Sequence, residues 1–178
     1  MEIDDLIKQS VDKFSKKYPE IDPEEGKAVL TKIMKDHMSP KDAMGFNPDF
    51  FESVYVIAYN LFQAGKYEEA TGILRLLVFF DPKNAAFSMA LASSLHKQKE
   101  YMEAIQSYIA TTLLDKATPF PFFHASDCFL KENNLPGAII MLKMMLKRIA
   151  NQPKYAALKE KAELSISSLE KELVEKRS

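Results

Sequence analysis

The sequence repeats itself with a period of 34 residues. Four sets of similar residues recur at this interval in the middle of the chain: Ala58, Ala92 and Ser126; Leu61, Leu95 and Phe129; Tyr67, Tyr101 and Leu135; and Ala70, Ala104 and Ala138. A period of this length is typical of helical hairpins that stack on one another, because a single hairpin cannot bury its own apolar face. The repeat therefore predicts an all-α stack of three hairpins.

The repeat also predicts where the parts of the chain begin and end. We expect three units, at residues 51–84, 85–118 and 119–152, each with two helices and a turn at its fifteenth to seventeenth positions. Residues 1–50 are then an N-terminal helical extension. Residues 153–178 are expected to form a capping helix, with an apolar stripe made of Leu158, Ala162, Ile166, Leu169 and Leu173.

The extension contains signals for two helices. Apolar residues at helical spacing predict a first helix that ends before Pro19. Asp22-Pro23 is a helix start, so a second helix is expected over residues 23–38, followed by a connector at 39–50. This second helix carries more apolar residues than one packing face needs, which predicts that it mediates homodimerisation or clasps a bound protein. The residues assigned to dimerisation are Val29, Leu30, Ile33 and Met34.

Composition and charge argue against several classes of function. The net charge is −1 and Lys and Arg are dispersed, so the chain lacks the basic face that nucleic-acid binding requires. The longest near-apolar run, residues 73–80, is too short to span a bilayer, and the first residues do not form a secretory signal. The single cysteine, Cys128, fits a reducing compartment. We therefore expect a cytoplasmic protein that binds neither nucleic acid nor membrane directly.

The sequence contains no motif for catalysis or for a cofactor. It has no phosphate-binding loop, no nucleotide-binding fingerprint and no metalloprotease motif. His124 and Cys128 are four residues apart on one predicted helix, but no third metal ligand accompanies them. We expect no enzymatic activity, no cofactor and no metal site.

The helical hairpin resembles the tetratricopeptide repeat. That repeat has large and small residues at fixed positions, which the first unit supplies with Val54, Ala58, Leu61, Gly65, Ala70, Leu74, Leu77 and Pro82. The resemblance implies a tetratricopeptide-repeat solenoid in which the first helix of each unit lines a concave face. The lining positions are the second, fifth, ninth, twelfth and thirteenth of each unit.

A narrower resemblance covers about residues 40 to 152. The segments that carry it are AYNLFQAGKYEEA at 58–70, LLVFFDP at 76–82, AIQSY at 104–108 and PFPFFHASDCFL at 119–130. They are similar to the class II chaperones of bacterial type III secretion, which hold two hydrophobic, pore-forming translocator proteins soluble in the bacterial cytoplasm before export. The resemblance implies that function, with those two translocators as clients and without ATP. Together with the dimerisation prediction, it implies a homodimer when no client is bound.

The concave positions contain aromatic residues and methionine, which indicate an adaptable apolar groove for an extended client segment. The candidate groove residues are Tyr55, Tyr59, Phe62, Gln63, Met89, Ser93, His96, Phe123 and Asp127. Four of these are expected to pair with polar groups of the client's backbone, namely Gln63, Ser93, His96 and Asp127.

Alternative interpretations stay open at this point. Tyr55 and Tyr59 would instead pack against the N-terminal helices, and the capping helix would cover Phe123. A generic assembly scaffold and a co-regulator of a transcription activator are the rival functions. The clamp of Lys, Asn and Arg that captures the C-terminal carboxylate of heat-shock chaperones is absent, since Tyr55, Tyr59 and Ser93 occupy its positions.

Overall fold

The computed structural model describes residues 2–19 and 22–176. These ranges contain ten α-helices and one 3-10 turn, and no β-strand. The helices are α1 (Ile3–Lys17), α2 (Pro23–Met34), α3 (Pro40–Ala43), α4 (Pro48–Gln63), α5 (Tyr67–Phe80), α6 (Ala85–Lys97), α7 (Tyr101–Leu114), α8 (Phe120–Lys131), α9 (Leu135–Ile149) and α10 (Ala156–Glu175), with the 3-10 turn at Pro153–Tyr155. Three hairpins, α4–α5, α6–α7 and α8–α9, follow one another, which confirms the predicted fold class. Residues 1, 20, 21, 177 and 178 of the predicted extension and capping segment lie outside the described residues.

The three hairpin turns have the same backbone geometry. Gly65, Lys99 and Asn133, which are 34 residues apart, have positive φ angles of 77°, 68° and 56°. In each turn the next residue donates a backbone hydrogen bond to the carbonyl five residues before it: Lys66 to Leu61, Glu100 to Leu95 and Asn134 to Phe129. Residues other than glycine rarely adopt this conformation, so at Lys99 the packing of the flanking helices must maintain the turn.

Small residues lie where the paired helices approach most closely. Ala58 and Ala92, in the first helices, and Ala70, Ala104 and Ala138, in the second helices, are completely inaccessible to solvent. A larger side chain at these positions would push the helices apart. All of these alanines except Ala138 belong to one continuous core that extends into the capping helix, with large members such as Leu77, Leu95, Tyr108, Met145 and Ile166.

A buried polar link joins the first two units. The Thr71 hydroxyl donates to the Ser94 hydroxyl at 2.9 Å, and Ser94 in turn donates to the backbone carbonyl of Tyr67 at 2.9 Å. Gln98 also donates to the Tyr67 carbonyl, at 3.1 Å. Because these buried groups satisfy one another, the link fixes α5 against α6 without leaving an unpaired polar atom.

The capping helix packs on the last unit as predicted. Its residues Ala162 and Ile166 are buried, and α10 contacts α9. On its exposed side, the Glu172 carboxylate and the Lys176 ammonium form an ion pair at 2.8 Å. The helix therefore covers the apolar end of the stack.

The extension differs from its prediction at the end of the second helix. The helix was expected to continue to residue 38, but α2 ends at Met34. The backbone turns at His37, with a φ of 54°, and the Met38 N–H donates to the Lys32 carbonyl at 3.1 Å. Glycine usually occupies a left-handed position of this kind after a helix, so a histidine there gives no signal in the sequence.

The connector contains a short helix that the sequence analysis did not predict. Ser39 caps α3 by accepting a hydrogen bond from the Asp42 N–H. The Lys41 ammonium and the Asp81 carboxylate, both largely buried, pair at 2.6 Å and attach α3 to the end of α5. This hydrogen bond to Asp81 raises the pKa of Lys41. At the end of the connector Asn47 caps α4, because its side chain accepts a hydrogen bond from the Asp49 N–H at 2.9 Å.

Candidate functional site

An apolar cleft of about 340 Å³ lies between the first and second units. The residues that line it come from α4, α5 and α6: Tyr55, Ala58, Tyr59, Phe62, Leu74, Ala86, Met89, Ala90 and Ser93. The aromatic rings and Met89 form its walls, while the three alanines leave the space between the helices open. Such a shape fits large apolar side chains of a bound chain.

Five of the nine predicted groove residues line this cleft: Tyr55, Tyr59, Phe62, Met89 and Ser93. Tyr59 is about half exposed, at 52% of its surface. Tyr55 is half-buried against Phe87, with ring centroids 5.3 Å apart. Burial, followed by the nearby Tyr59, raises the pKa of Tyr55. The lining includes no residue of α1 or α2, so the N-terminal helices do not form a wall of the cleft.

The base of the cleft was not assigned from the sequence. Leu74 lies on α5, the second helix of its unit, and was interpreted only as a core residue. Ala58 was interpreted as a packing residue and Ala90 was not assigned to the groove, and the small size of both gives the cleft its depth. A groove inventory restricted to fixed positions of the first helices cannot find them.

The next part of the concave face is polar. His96, from α6, and Asp127, from α8, meet with Nε2 and Oδ2 3.0 Å apart. His96 Nδ1 lies 3.4 Å from the Tyr108 hydroxyl. The ring of His124 stacks on the other side of Tyr108, at a centroid distance of 5.5 Å. The structure thus brings His96 and Asp127 together, as two of the predicted groove residues, around a buried tyrosine that the sequence analysis did not assign to the site.

Burial shifts the pKa values of this cluster. It raises the pKa of Tyr108 to about 12. Burial, followed by the neighbouring His96, lowers the pKa of His124. Tyr108 therefore keeps its proton and acts as a hydrogen-bond donor, and His124 favours its neutral form.

Two predicted groove residues lie apart from the others. Gln63 is exposed at the last position of α4 and does not line the cleft. Phe123 is half-buried, and the ammonium group of Lys161 from α10 lies 5.4 Å from the centre of its ring. The capping helix therefore covers part of Phe123, which was the alternative that the sequence left open.

His124 and Cys128 remain poor candidates for a metal site. Cys128 is completely inaccessible, and burial raises the pKa of its thiol to about 12, whereas a thiol must lose its proton to bind a metal. In the part of the chain that the structure describes, no three His, Cys, Asp or Glu side chains are arranged to hold a metal ion.

The four residues assigned to dimerisation are half-buried. Val29 and Leu30 line a second apolar cleft, of about 530 Å³, together with Val11, Phe14 and Met44. This cleft lies between α1 and α2 and includes Met44, which follows α3. The helix therefore packs against α1 and α3 with part of its apolar face and leaves the rest accessible.

A third apolar surface was not singled out from the sequence. Phe46, Phe50, Phe51, Leu76 and Phe80 border a cleft of about 300 Å³ at the end of the first unit. Phe50 and Leu76 are more than half exposed. Exposed apolar residues in such a group are typical of an interaction surface.

Comparison with known proteins identifies similar repeat proteins. A family model described as subunit 3 of the anaphase-promoting complex, or cyclosome, matches residues 41–111. Low calcium response locus protein H of Yersinia pseudotuberculosis is 32% identical over 111 residues, which are 62% of this chain and 66% of that protein. The alignment therefore leaves about a third of that relative unmatched.

In two solved structures, the part that aligns with this chain is nearly the whole of the solved chain. The Yersinia enterocolitica type III secretion chaperone SycD, in complex with a peptide of the translocator YopD, is 28% identical with a TM-score of 0.64, over 71% of this chain and 96% of SycD. PcrH, in complex with the chaperone binding region of PopB, is 31% identical with a TM-score of 0.61, over 67% of this chain and 97% of PcrH.

The relatives belong to a non-enzymatic family of chaperones, which agrees with the absence of catalytic motifs. Within residues 2–19 and 22–176, no helix has both the length and the apolar character needed to cross a lipid bilayer. The repeat fold, the concave cleft and these similarities agree. The chain belongs to the family of tetratricopeptide-repeat chaperones that serve bacterial type III secretion translocators.

Proposed function

We propose that this chain binds two hydrophobic translocator proteins of a type III secretion system in the bacterial cytoplasm and keeps them soluble before export. Each client inserts an extended segment into the concave groove and places its apolar side chains in the cleft between the first two units. The observation that carries the proposal is this cleft, lined by Tyr59, Phe62 and Met89 in a protein whose relatives SycD and PcrH have been solved with translocator peptides.

Binding of this kind protects clients by occupying their apolar surface. An extended segment gains affinity when its side chains enter separate apolar pockets and its backbone groups find hydrogen-bond partners. Methionine and aromatic side chains suit more than one client sequence, because they adapt their packing. The same groove is therefore suited to two different translocators.

Co-expression with candidate translocators tests the proposal. We expect at least one translocator, insoluble alone, to remain soluble with the wild-type chain, and Tyr59→Ala and Met89→Glu to abolish or strongly reduce that solubility. The reason is loss of an aromatic wall in the first variant and burial of a carboxylate in the second. Val56→Ala and Met102→Glu are matched controls, because both residues are exposed and lie outside the cleft. If both groove variants protect the client as well as the wild type does, the groove assignment is wrong.

We also propose that the chain forms a homodimer when no client is bound, through Val29, Leu30, Ile33 and Met34 of α2. The apolar cleft beside Val29 and Leu30 supports this, since an accessible surface of that kind gains free energy when a second copy covers it. Light scattering should give twice the monomer mass for the wild type and the monomer mass for Val29→Glu. A dimer lost with Phe50→Glu but kept with Val29→Glu would instead place the interface at the aromatic surface of the first unit.

A further inference from the structure

Four polar side chains were expected to bind the client's backbone, and they differ in how many hydrogen bonds they already make within the chain. Ser93 already donates its hydroxyl to the carbonyl of Met89 in its own helix, at 2.9 Å. Both ring nitrogens of His96 have partners, in Asp127 and Tyr108. Gln63 lies outside the lining of the cleft. Among the three that lie in or beside the cleft, Asp127 is thus the one with most of its hydrogen-bonding capacity unused.

The Asp127 carboxylate presents unfilled acceptor sites on the concave face. It accepts one hydrogen bond, from His96 Nε2 to its Oδ2, and 46% of its side chain is exposed. Within residues 2–19 and 22–176, His96 is its one hydrogen-bond or ion-pair partner. A carboxylate has about four acceptor positions, so about three remain open to a donor that enters the groove.

A fixed network holds this acceptor in place. The Tyr108 hydroxyl, whose side chain is almost completely buried, lies 3.4 Å from His96 Nδ1. An ionised carboxylate can only accept a hydrogen bond, so His96 Nε2 donates to Asp127. The carboxylate is therefore oriented before a client arrives, which lowers the entropic cost of binding.

The client's main chain offers donors to this carboxylate wherever the segment lies in the groove. A main-chain N–H carries no charge and occurs at nearly every position of an extended segment.

We propose that Asp127 accepts a hydrogen bond from one main-chain N–H of the client segment and so fixes its register in the groove. This inference rests on the proposed function, since it requires an extended client in the groove.

Backbone N-methylation tests the inference. A translocator that the chain solubilises is divided into overlapping fluorescein-labelled peptides, and the tightest binder by fluorescence anisotropy is resynthesised with a single N-methyl group at each amide in turn. On the wild type, we expect methylation at one position to weaken binding about tenfold, the usual effect of losing a hydrogen bond to a charged group. On Asp127→Leu, the unmethylated peptide should bind about tenfold more weakly, and the penalty at that position should fall below about twofold.

Two further variants complete the test. Asp127→Asn keeps an acceptor oxygen and should retain most of the methylation penalty, which separates hydrogen bonding from a loss of folding. Glu132→Leu removes an exposed carboxylate at the end of the same helix and should bind like the wild type. An equal penalty on the wild type and on Asp127→Leu overturns the inference and leaves the proposed function intact. If no translocator is solubilised, the proposed function fails and the inference falls with it.

Discussion

The repeat stack and the N-terminal extension are both helical, but they differ in how many apolar side chains they bury. Every helix from α4 to α9 buries apolar side chains in one shared core. The structure describes every residue of α1 and α2 in the extension. Ile7 is the only buried residue of α1, and α2 has no buried residue. The extension thus buries little apolar surface, and the Lys41–Asp81 ion pair helps to attach α3 to the stack.

This difference bears on how the two candidate surfaces work. The groove belongs to the stack, so its walls are positioned by packing and are present before any client binds. The apolar residues of α2 belong to a region with little core, which opens locally at a lower cost in free energy than the stack does. A rigid groove suits client recognition, whereas a loosely held helix suits exchange between packing on its own chain and packing on a partner.

Truncating one leucine in each region should give the largest contrast. Leu95→Ala empties a site that is 2% exposed and should lower the free energy of unfolding by about 2–5 kcal/mol. Leu30→Ala removes a half-buried side chain of α2 and should cost less than about 1 kcal/mol. Urea unfolding followed by circular dichroism measures both values. Equal losses would mean that the extension is part of the same cooperative unit as the stack.

A smaller contrast should come from two residues with positive φ angles, Lys99 in the stack and His37 in the extension. Glycine adopts this conformation without strain, so Lys99→Gly should raise the free energy of global unfolding by about 0.5–1 kcal/mol. His37→Gly relieves similar strain, but in a region that does not limit global unfolding, so the main transition should not move. Gly65→Ala is the reverse test and should destabilise the stack by about 1 kcal/mol. A stabilised main transition in His37→Gly would show that the extension unfolds together with the stack.

The same contrast decides what could be predicted from the sequence. In the stack, Ala58, Ala70 and their equivalents recur at a fixed period. The same packing pattern therefore occurs in each unit, and the fold can be predicted from it. At His37 the end of α2 depends on a single non-glycine residue in a left-handed conformation, which no pattern announces. The polar part of the groove was predicted only in part, because position in the repeat indicates His96 and Asp127 but not the buried Tyr108 that holds them.

The smallest expected effect concerns the pH dependence of stability. The pKa of His124, in the stack, lies below its ordinary value of 6.5, first because it is buried and then because of His96, while Asp127 acts in the opposite direction. Above pH 6.5 the imidazole is mostly neutral in both states and contributes nothing. As the pH falls below 6.5, the unfolded chain takes up a proton that the folded chain resists, so stability decreases until the folded pKa is passed.

His124→Phe keeps the stacking on Tyr108 and removes the titration, and should therefore show a shallower decrease in the urea midpoint. His37→Asn, in the exposed turn of the extension, is the matched control and should follow the wild type at every pH. If His124→Phe loses stability on acidification as steeply as the wild type, the acid sensitivity does not arise from this residue of the stack.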